Sequence, residues 1–219
     1  MKKSIVFFLS ITLIALSISC DLLKKDDPAA LGGSQSPMGM VGATSSSSSS
    51  PIAGTSNISA SVTALNGTTS TITAQATVTN SLLKSLLANY PGTTVNGNTV
   101  SISNMQIEST TTGLKCITGP GAGIIVKYES NVGDTYPIGS TGAVRRVVSK
   151  STTDDYPYGM LLIKTIQVES VPNYMKSTNA GVTKIKYIAN HKFGLVGVMV
   201  SFDDGTSVTF PVYSSTQNP

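Results

Sequence analysis

Residues 58–78, ISASVTALNGTTSTITAQATV, decide the fold of this chain. On both sides of Asn66-Gly67 an apolar residue occupies every second position, which is the spacing of a strand with one buried face. Asn-Gly favours a type I′ turn, because that turn needs positive φ at both of its central residues. The stretch therefore predicts an antiparallel β-hairpin.

Short alternating segments continue to the end of the chain. We expect a bulge near Ile107, where the alternation of its strand breaks. Asp203-Asp204-Gly205 fits a three-residue hairpin loop with glycine in the left-handed position. Further strands are predicted at 100–107, 123–130, 143–150, 160–169, 182–190, 195–202 and 206–213.

One short helix is predicted over 81–90, SLLKSLLANY. Its four leucines share one side at helical spacing, and Pro91-Gly92 ends it. No long series of alternating strands and helices is present, which argues against a doubly wound nucleotide-binding fold. We therefore predict a mainly β domain over 57–219, either an antiparallel β-sandwich or a partly closed barrel, with one short helix.

The composition argues against a catalyst. Only 12% of the 219 residues are charged, about half the usual share, so much of the polar surface must come from Ser, Thr, Asn and Gly. One histidine and two cysteines leave too few side chains for a conventional catalytic triad or a multi-ligand metal site. We expect no enzymatic activity, no metal and no cofactor.

The N-terminal segment MKKSIVFFLSITLIALSISC has the parts of a secretory signal. Lys2 and Lys3 precede an uncharged run over 4–19, which is shorter than the roughly 20 residues of a membrane-spanning helix. We predict a signal peptide at 1–19.

Cys20, which follows the small residue Ser19, resembles the lipobox of bacterial lipoproteins. Ser17 stands where the usual box has leucine, and such looser boxes are most similar to those of spirochaetes, of the leptospiral type. The resemblance covers residues 1–20 and implies acylation of Cys20 and a lipid anchor in the cell envelope, in the outer membrane or at the cell surface rather than in the inner membrane. The alternative is an ordinary cleaved signal that leaves a free thiol.

Residues 20–56 are interpreted as the lipidated cysteine followed by a flexible, disordered linker. The segment is rich in glycine and proline and contains six serines in a row at 45–50. Such composition behaves as coil because it buries too little apolar surface to offset its loss of conformational entropy.

Positive charge concentrates between residues 115 and 192, where ten Lys/Arg face five acidic residues. One interpretation is a surface for an acidic glycan or the acidic face of a host protein. The other is a solvated face whose lysines keep an edge strand from pairing with another chain. The modest charge and the export signal argue against nucleic acid. The candidate basic patch comprises Arg145, Arg146, Lys184, Lys186 and Lys192.

Three other sequence features are candidate sites. Cys116 and His191 could form a nucleophile–base pair, but nothing in the sequence places them together, and a buried inert thiol is the simpler interpretation. The glycine-rich run 119–123 lacks the Lys-Ser/Thr ending of a phosphate-binding loop. The Tyr-Pro segments at 90, 136 and 156, each followed closely by glycine, predict turns.

Two functions remain open. The resemblance to leptospiral lipoproteins implies a membrane-anchored lipoprotein that displays a non-catalytic β domain, as a surface adhesin for host matrix or plasma components. The alternative is a periplasm-facing lipoprotein that assists envelope assembly or holds a small ligand between its sheets. A deep apolar cavity would favour ligand binding.

Overall fold

A computed structural model describes residues 31–47, 55–79, 81, 84, 88, 92–119, 121–139, 142–170 and 182–216. The predicted signal peptide at 1–19 and Cys20 lie outside these residues. Most of the helix predicted over 81–90 does as well. Of that segment Ser81, Lys84 and Ala88 are described, and their backbone is helical.

The described residues form a mainly antiparallel β structure, which confirms the predicted fold class. A single turn of 3₁₀ helix at Pro37–Gly39 precedes the first strand. The strands are β1 (Thr44–Ser47), β2 (Thr55–Asn66), β3 (Thr69–Val78), β4 (Thr93–Asn96), β5 (Thr99–Thr110), β6 (Gly113–Cys116), β7 (Gly123–Lys127), β8 (Thr135–Ile138), β9 (Ala143–Lys150), β10 (Tyr156–Tyr158), β11 (Leu161–Ile163), β12 (Ile166–Ser170), β13 (Val182–Asn190), β14 (Gly194–Phe202), β15 (Ser207–Pro211) and β16 (Tyr213–Ser215).

The strands build two large sheets and one small hairpin. The first sheet has the order β16-β1-β2-β3-β5-β6-β7, with β4 also paired to β5. The second has the order β15-β14-β13-β12-β9-β8. Among the described strands, β10 and β11 pair only with each other.

The two sheets join at both sides, so the structure is a partly closed barrel. On one side β15 continues into β16 through Val212, whose N–H donates to the Val196 carbonyl at 3.0 Å. On the other side the Gly139 N–H donates to the Ala122 carbonyl at 3.0 Å, which ties the end of β8 to the start of β7. Closure of this kind leaves few unpaired strand edges.

One continuous apolar core lies between the sheets. Ile102 and Ile125 of the first sheet and Ile185, Tyr187 and Phe210 of the second are at most 2% exposed. Each fully buried side chain of this size stabilises the fold by about 1.5–3 kcal/mol relative to an exposed one. The alternation of apolar and polar residues along the strands therefore accounts for the layered fold.

The central hairpin, β2–β3, forms as predicted, but its turn differs from the prediction. Asn66 pairs with Thr69, so the loop is Gly67-Thr68. Of these two only Gly67 has positive φ, at 58°, which excludes the expected turn with two positive φ values. The predicted break in β5 is confirmed a few residues earlier, at Asn104, where φ is 63° and the register against β3 shifts.

Part of the predicted linker belongs to the folded domain. Leu31 is buried, and the 3₁₀ helix packs where the Ser70 hydroxyl donates to the Gly39 carbonyl at 2.6 Å. Ser45–Ser47 of the serine run lie in β1, between β2 and β16. The linker boundary at 56 is therefore wrong for 31–47 and 55–56. Composition is a poor guide here, because hydroxyl side chains also occur in a strand that is paired on both sides, as β1 is.

Two further predictions are wrong in detail. The predicted strand 160–169 is divided into β11 and β12. The Tyr-Pro segments at 136 and 156, predicted as turns, lie in strands β8 and β10. The turns begin at the residues that directly follow these strands, Gly139 and Gly159, both of which have positive φ. The β10–β11 hairpin packs on the outer face of the second sheet, where the ring centroid of Tyr158 lies 4.9 Å from that of Phe193. Gly197 permits this approach, since a Cβ there would lie 2.7 Å from the Tyr156 hydroxyl oxygen.

Candidate functional site

A row of small side chains crosses the inner face of the first sheet. Ser214 pairs with Ser45, Ser45 with Ala60, and Ala60 with Ala74, on four adjacent strands. Residues directly opposite in an antiparallel ladder point to the same face. Each of these side chains is an alanine or a serine, so none is larger than a hydroxymethyl group. The row therefore leaves a furrow in the wall of the core.

This furrow opens a cavity of about 130 Å³ between the sheets. All four small residues line it. Larger apolar side chains complete the wall, from β3, β5, β6, β7, the 3₁₀ helix and the start of β14. They include Ile72, Met105, Ile107, Leu114, Ile125, Met38 and Leu195, and Ile58 of β2 lines the cavity as well.

The mouth of the cavity lies beside β1 and β16. The lining residues there are partly exposed, among them Ser47, Val212 and Phe193. Two of the mouth hydroxyls, those of Ser45 and Ser214, are hydrogen-bonded to each other at 3.2 Å. A small molecule could therefore enter from solvent between the edge of the first sheet and the turn before β14.

Electrostatically the cavity is neutral. None of the described lining side chains is charged, so an ion that entered would lose its hydration without a compensating partner. A cavity of this size is close to the roughly 150 Å³ apolar cavity that stays dry and binds benzene or xenon in an engineered protein. The arrangement can hold a compact uncharged molecule.

Arg145, the first residue of the candidate basic patch, is not on the surface. It is 2% exposed and faces the core. Its two terminal nitrogens donate to the carbonyls of Ile124 at 3.0 Å and Gly121 at 2.7 Å, and its Cζ lies 5.7 Å from the ring centroid of Tyr187. Arg145 thus ties the second sheet to the first. Charge counting could not reveal this, because an arginine at an inward position is recognised only from strand register.

Tyr187 shares this buried environment. Burial raises the pKa of its hydroxyl above the ordinary value of 10.0, and the nearby Arg145 cation acts in the opposite direction. Arg145 and Ser170 both hydrogen-bond to that hydroxyl. Arg145, Tyr187 and Ser170 therefore form a hydrogen-bonded polar cluster within the apolar core.

Three of the remaining basic residues gather around one carboxylate on the outer face of the second sheet. Glu169 pairs in register with Arg146 on one side and Lys186 on the other. Its carboxylate lies 3.2 Å from the Lys184 Nζ and 3.4 Å from the Lys186 Nζ. Lys192 lies apart from them, in the β13–β14 turn. Because β13 is an interior strand, the edge-protection interpretation of its lysines is wrong.

Cys116 and His191 lie on different elements. Cys116 is buried on β6, and its Sγ lies 2.7 Å from the Thr118 carbonyl oxygen. His191 is exposed in the turn between β13 and β14. No contact between them is described, and the described residues contain no group of three or more His, Cys, Asp and Glu side chains that could hold a metal ion.

The other sequence features resolve into turns. The Ala122 N–H donates to the Gly119 carbonyl at 3.1 Å, which makes the glycine-rich run a tight turn. Asp204 accepts hydrogen bonds from the Thr206 N–H at 2.8 Å and the Thr206 hydroxyl at 2.6 Å, and these bonds lower the pKa of its carboxyl. Its carboxylate therefore stabilises the predicted hairpin loop.

Comparison with protein families, with curated proteins and with solved structures finds no match to this chain. Within the part of the chain that the structure describes, no helix is long and apolar enough to cross a membrane.

Proposed function

We propose that this protein is a non-catalytic, lipid-anchored envelope protein whose β domain binds a small uncharged apolar molecule. The observation that carries the proposal is the apolar cavity of about 130 Å³ between the sheets. Enclosed apolar cavities reduce stability, because the surrounding side chains lose contacts. A cavity that is open to solvent at one side and lined by apolar groups has the form of a ligand site.

The proposal is tested by thermal unfolding of the full chain with benzene as the probe. A ligand that binds only the folded state stabilises it by RT ln(1 + [L]/Kd), so saturating benzene raises Tm in a concentration-dependent way. Benzoate has the same ring with a charge and serves as the control, which we expect to leave Tm unchanged. Equal responses to both compounds, or no response to benzene, would contradict the proposal.

The anchor is proposed at Cys20, on the lipobox-like residues that precede it. Because the folded domain begins by Leu31, only residues 21–30 separate it from the proposed lipid. Ten residues reach at most about 33–36 Å when fully extended, so the domain would lie within that distance of the membrane surface, in the outer membrane or at the cell surface.

A Cys20→Ser chain is the test of this anchor. We expect the wild-type chain to partition into the detergent phase of a Triton X-114 extraction and the variant to move to the aqueous phase. Cys116→Ser is the matched control, since its buried thiol cannot carry a lipid while the domain is folded. Equal partitioning of the Cys20→Ser and wild-type chains would refute the anchor.

A second candidate function is display of a surface for an acidic host protein or glycan. The observation that favours it is the excess of cations around Glu169, whose carboxylate pairs with Lys184 and Lys186 and whose cross-strand neighbour is Arg146. Binding to heparin that weakens as salt rises would support this function, because ionic contacts are screened. An Arg146→Ser/Lys184→Ser chain that binds as tightly as the wild type would exclude this surface.

A further inference from the structure

One buried hydroxyl in the described wall of the cavity has no hydrogen-bond partner among the described residues. This hydroxyl belongs to Ser109, which is 5% exposed. It follows Met105 and Ile107 on the inward-facing positions of β5, and all three line the cavity. Its cross-strand neighbour Leu114 lines it as well.

Neighbouring serines satisfy their hydroxyls within the protein. The Ser45 and Ser214 hydroxyls bind each other at 3.2 Å, and the Ser70 hydroxyl donates to the Gly39 carbonyl at 2.6 Å. Buried polar atoms in folded proteins are nearly always paired, because a hydroxyl removed from water without a partner is unfavourable. The hydroxyl of Ser109 is thus free to pair with a group inside the cavity.

We propose that the ligand has a compact apolar body and one uncharged hydrogen-bonding group, either a hydroxyl or a carbonyl, and that this group pairs with the Ser109 hydroxyl. This inference rests on the proposed function. The apolar body would lie in the furrow over Ala60 and Ala74. A carboxylate or an amine is excluded as the polar group, because no described lining side chain carries a compensating charge.

Phenol and benzene differ by the hydroxyl alone and are the probes for this inference. Their affinities for the full chain and for its Ser109→Ala variant are measured by calorimetry. We expect the ratio of phenol affinity to benzene affinity to fall by about three- to tenfold in the variant, the range for one net hydrogen bond. Benzene affinity itself should not change.

Two further variants separate a hydrogen bond from a general disturbance of the cavity. Ser45→Ala removes a lining hydroxyl that is already paired, so the wild-type ratio should persist. Ser109→Thr keeps a hydroxyl at the same position and should restore the ratio that Ser109→Ala loses.

The outcomes distinguish this inference from the proposed function. If Ser109→Ala binds benzene and keeps the wild-type ratio, the assignment of the polar group to Ser109 is overturned while the cavity remains a binding site. If the wild-type chain binds neither probe, the proposed function fails, and this inference fails with it.

Discussion

Replacing Ala74 by leucine should fill the cavity, abolish benzene binding and stabilise the fold. Ala74 is 1% exposed and lies at the inner end of the furrow, farthest from the mouth. A leucine-to-alanine replacement in another protein leaves a cavity of roughly 150 Å³, so the reverse change fits a space of about 130 Å³.

The magnitude follows from the volume. Cavities cost about 24 cal/mol per Å³, which for this volume gives roughly 3 kcal/mol. Imperfect packing of the new side chain offsets about 1–3 kcal/mol of that gain. We therefore expect the free energy of unfolding to rise by up to about 2 kcal/mol, measured by urea denaturation, and the benzene-dependent rise in Tm to disappear.

Ala76→Leu is the matched control. Ala76 lies two residues further along β3 on the same face and is 4% exposed, but it does not line the cavity. The same added atoms would there overpack a filled core and lower the free energy of unfolding by about 1–3 kcal/mol. If both variants are destabilised equally and Ala74→Leu still binds benzene, the cavity does not lie over Ala74 and the reasoning is refuted.

Three further predictions concern the buried polar groups. Arg145→Lys should lower the free energy of unfolding by about 2–4 kcal/mol, because a lysine cannot bridge the two carbonyls that the guanidinium contacts; a change below 0.5 kcal/mol in urea denaturation would contradict the role of Arg145 between the sheets. Lys115 lies 3.6 Å from Glu108 in a buried ion pair, so Lys115→Met should cost about 3–5 kcal/mol by leaving an unpaired carboxylate, and adding Glu108→Gln should recover part of that loss. Burial raises the pKa of Tyr128 above the ordinary value of 10.0, so the unfolded chain releases this proton at a lower pH than the folded chain does. The free energy of unfolding should therefore fall as pH rises above 10. Tyr128→Phe should reduce that fall in urea titrations from pH 9 to 11, and an unchanged pH dependence would refute the assignment.

The strands that carry the core could be predicted from the sequence because their signal is local. Alternation over β2, β3, β13 and β14 reports which face is buried, and a slip by one residue would expose the whole apolar set. These segments therefore match their predicted positions within a few residues. The bulge in β5 was visible for the same reason, as a break in that alternation.

The segments that were missed depend on partners distant in sequence. Strand β1 contains serines without apolar alternation, and it is ordered by pairing with β2 and with β16 near the C-terminus. The hairpin β10–β11 holds its place through Tyr158, whose hydroxyl accepts from the Ser214 N–H at 3.0 Å. Local composition carries no information about such contacts.

From the sequence, a cavity between the sheets is only one of two alternatives. The cavity arises from the register in which neighbouring strands pair, and that register cannot be read from local sequence. Ser45, Ala60 and Ala74 are ordinary small residues in sequence and become a furrow only when their strands align. The same dependence on register placed Arg145 inside the barrel and Arg146 outside it. A charge count treats these two neighbours alike, whereas strand geometry puts them on opposite faces.

A crystal of the protein pressurised with xenon tests the central claim most directly. Xenon enters apolar cavities of this size, so we predict a single strong anomalous peak between Ala60, Ala74 and Leu195, and its loss in a crystal of Ala74→Leu. Side chains that close this space in the wild-type crystal, with no xenon bound between the sheets, would contradict the account.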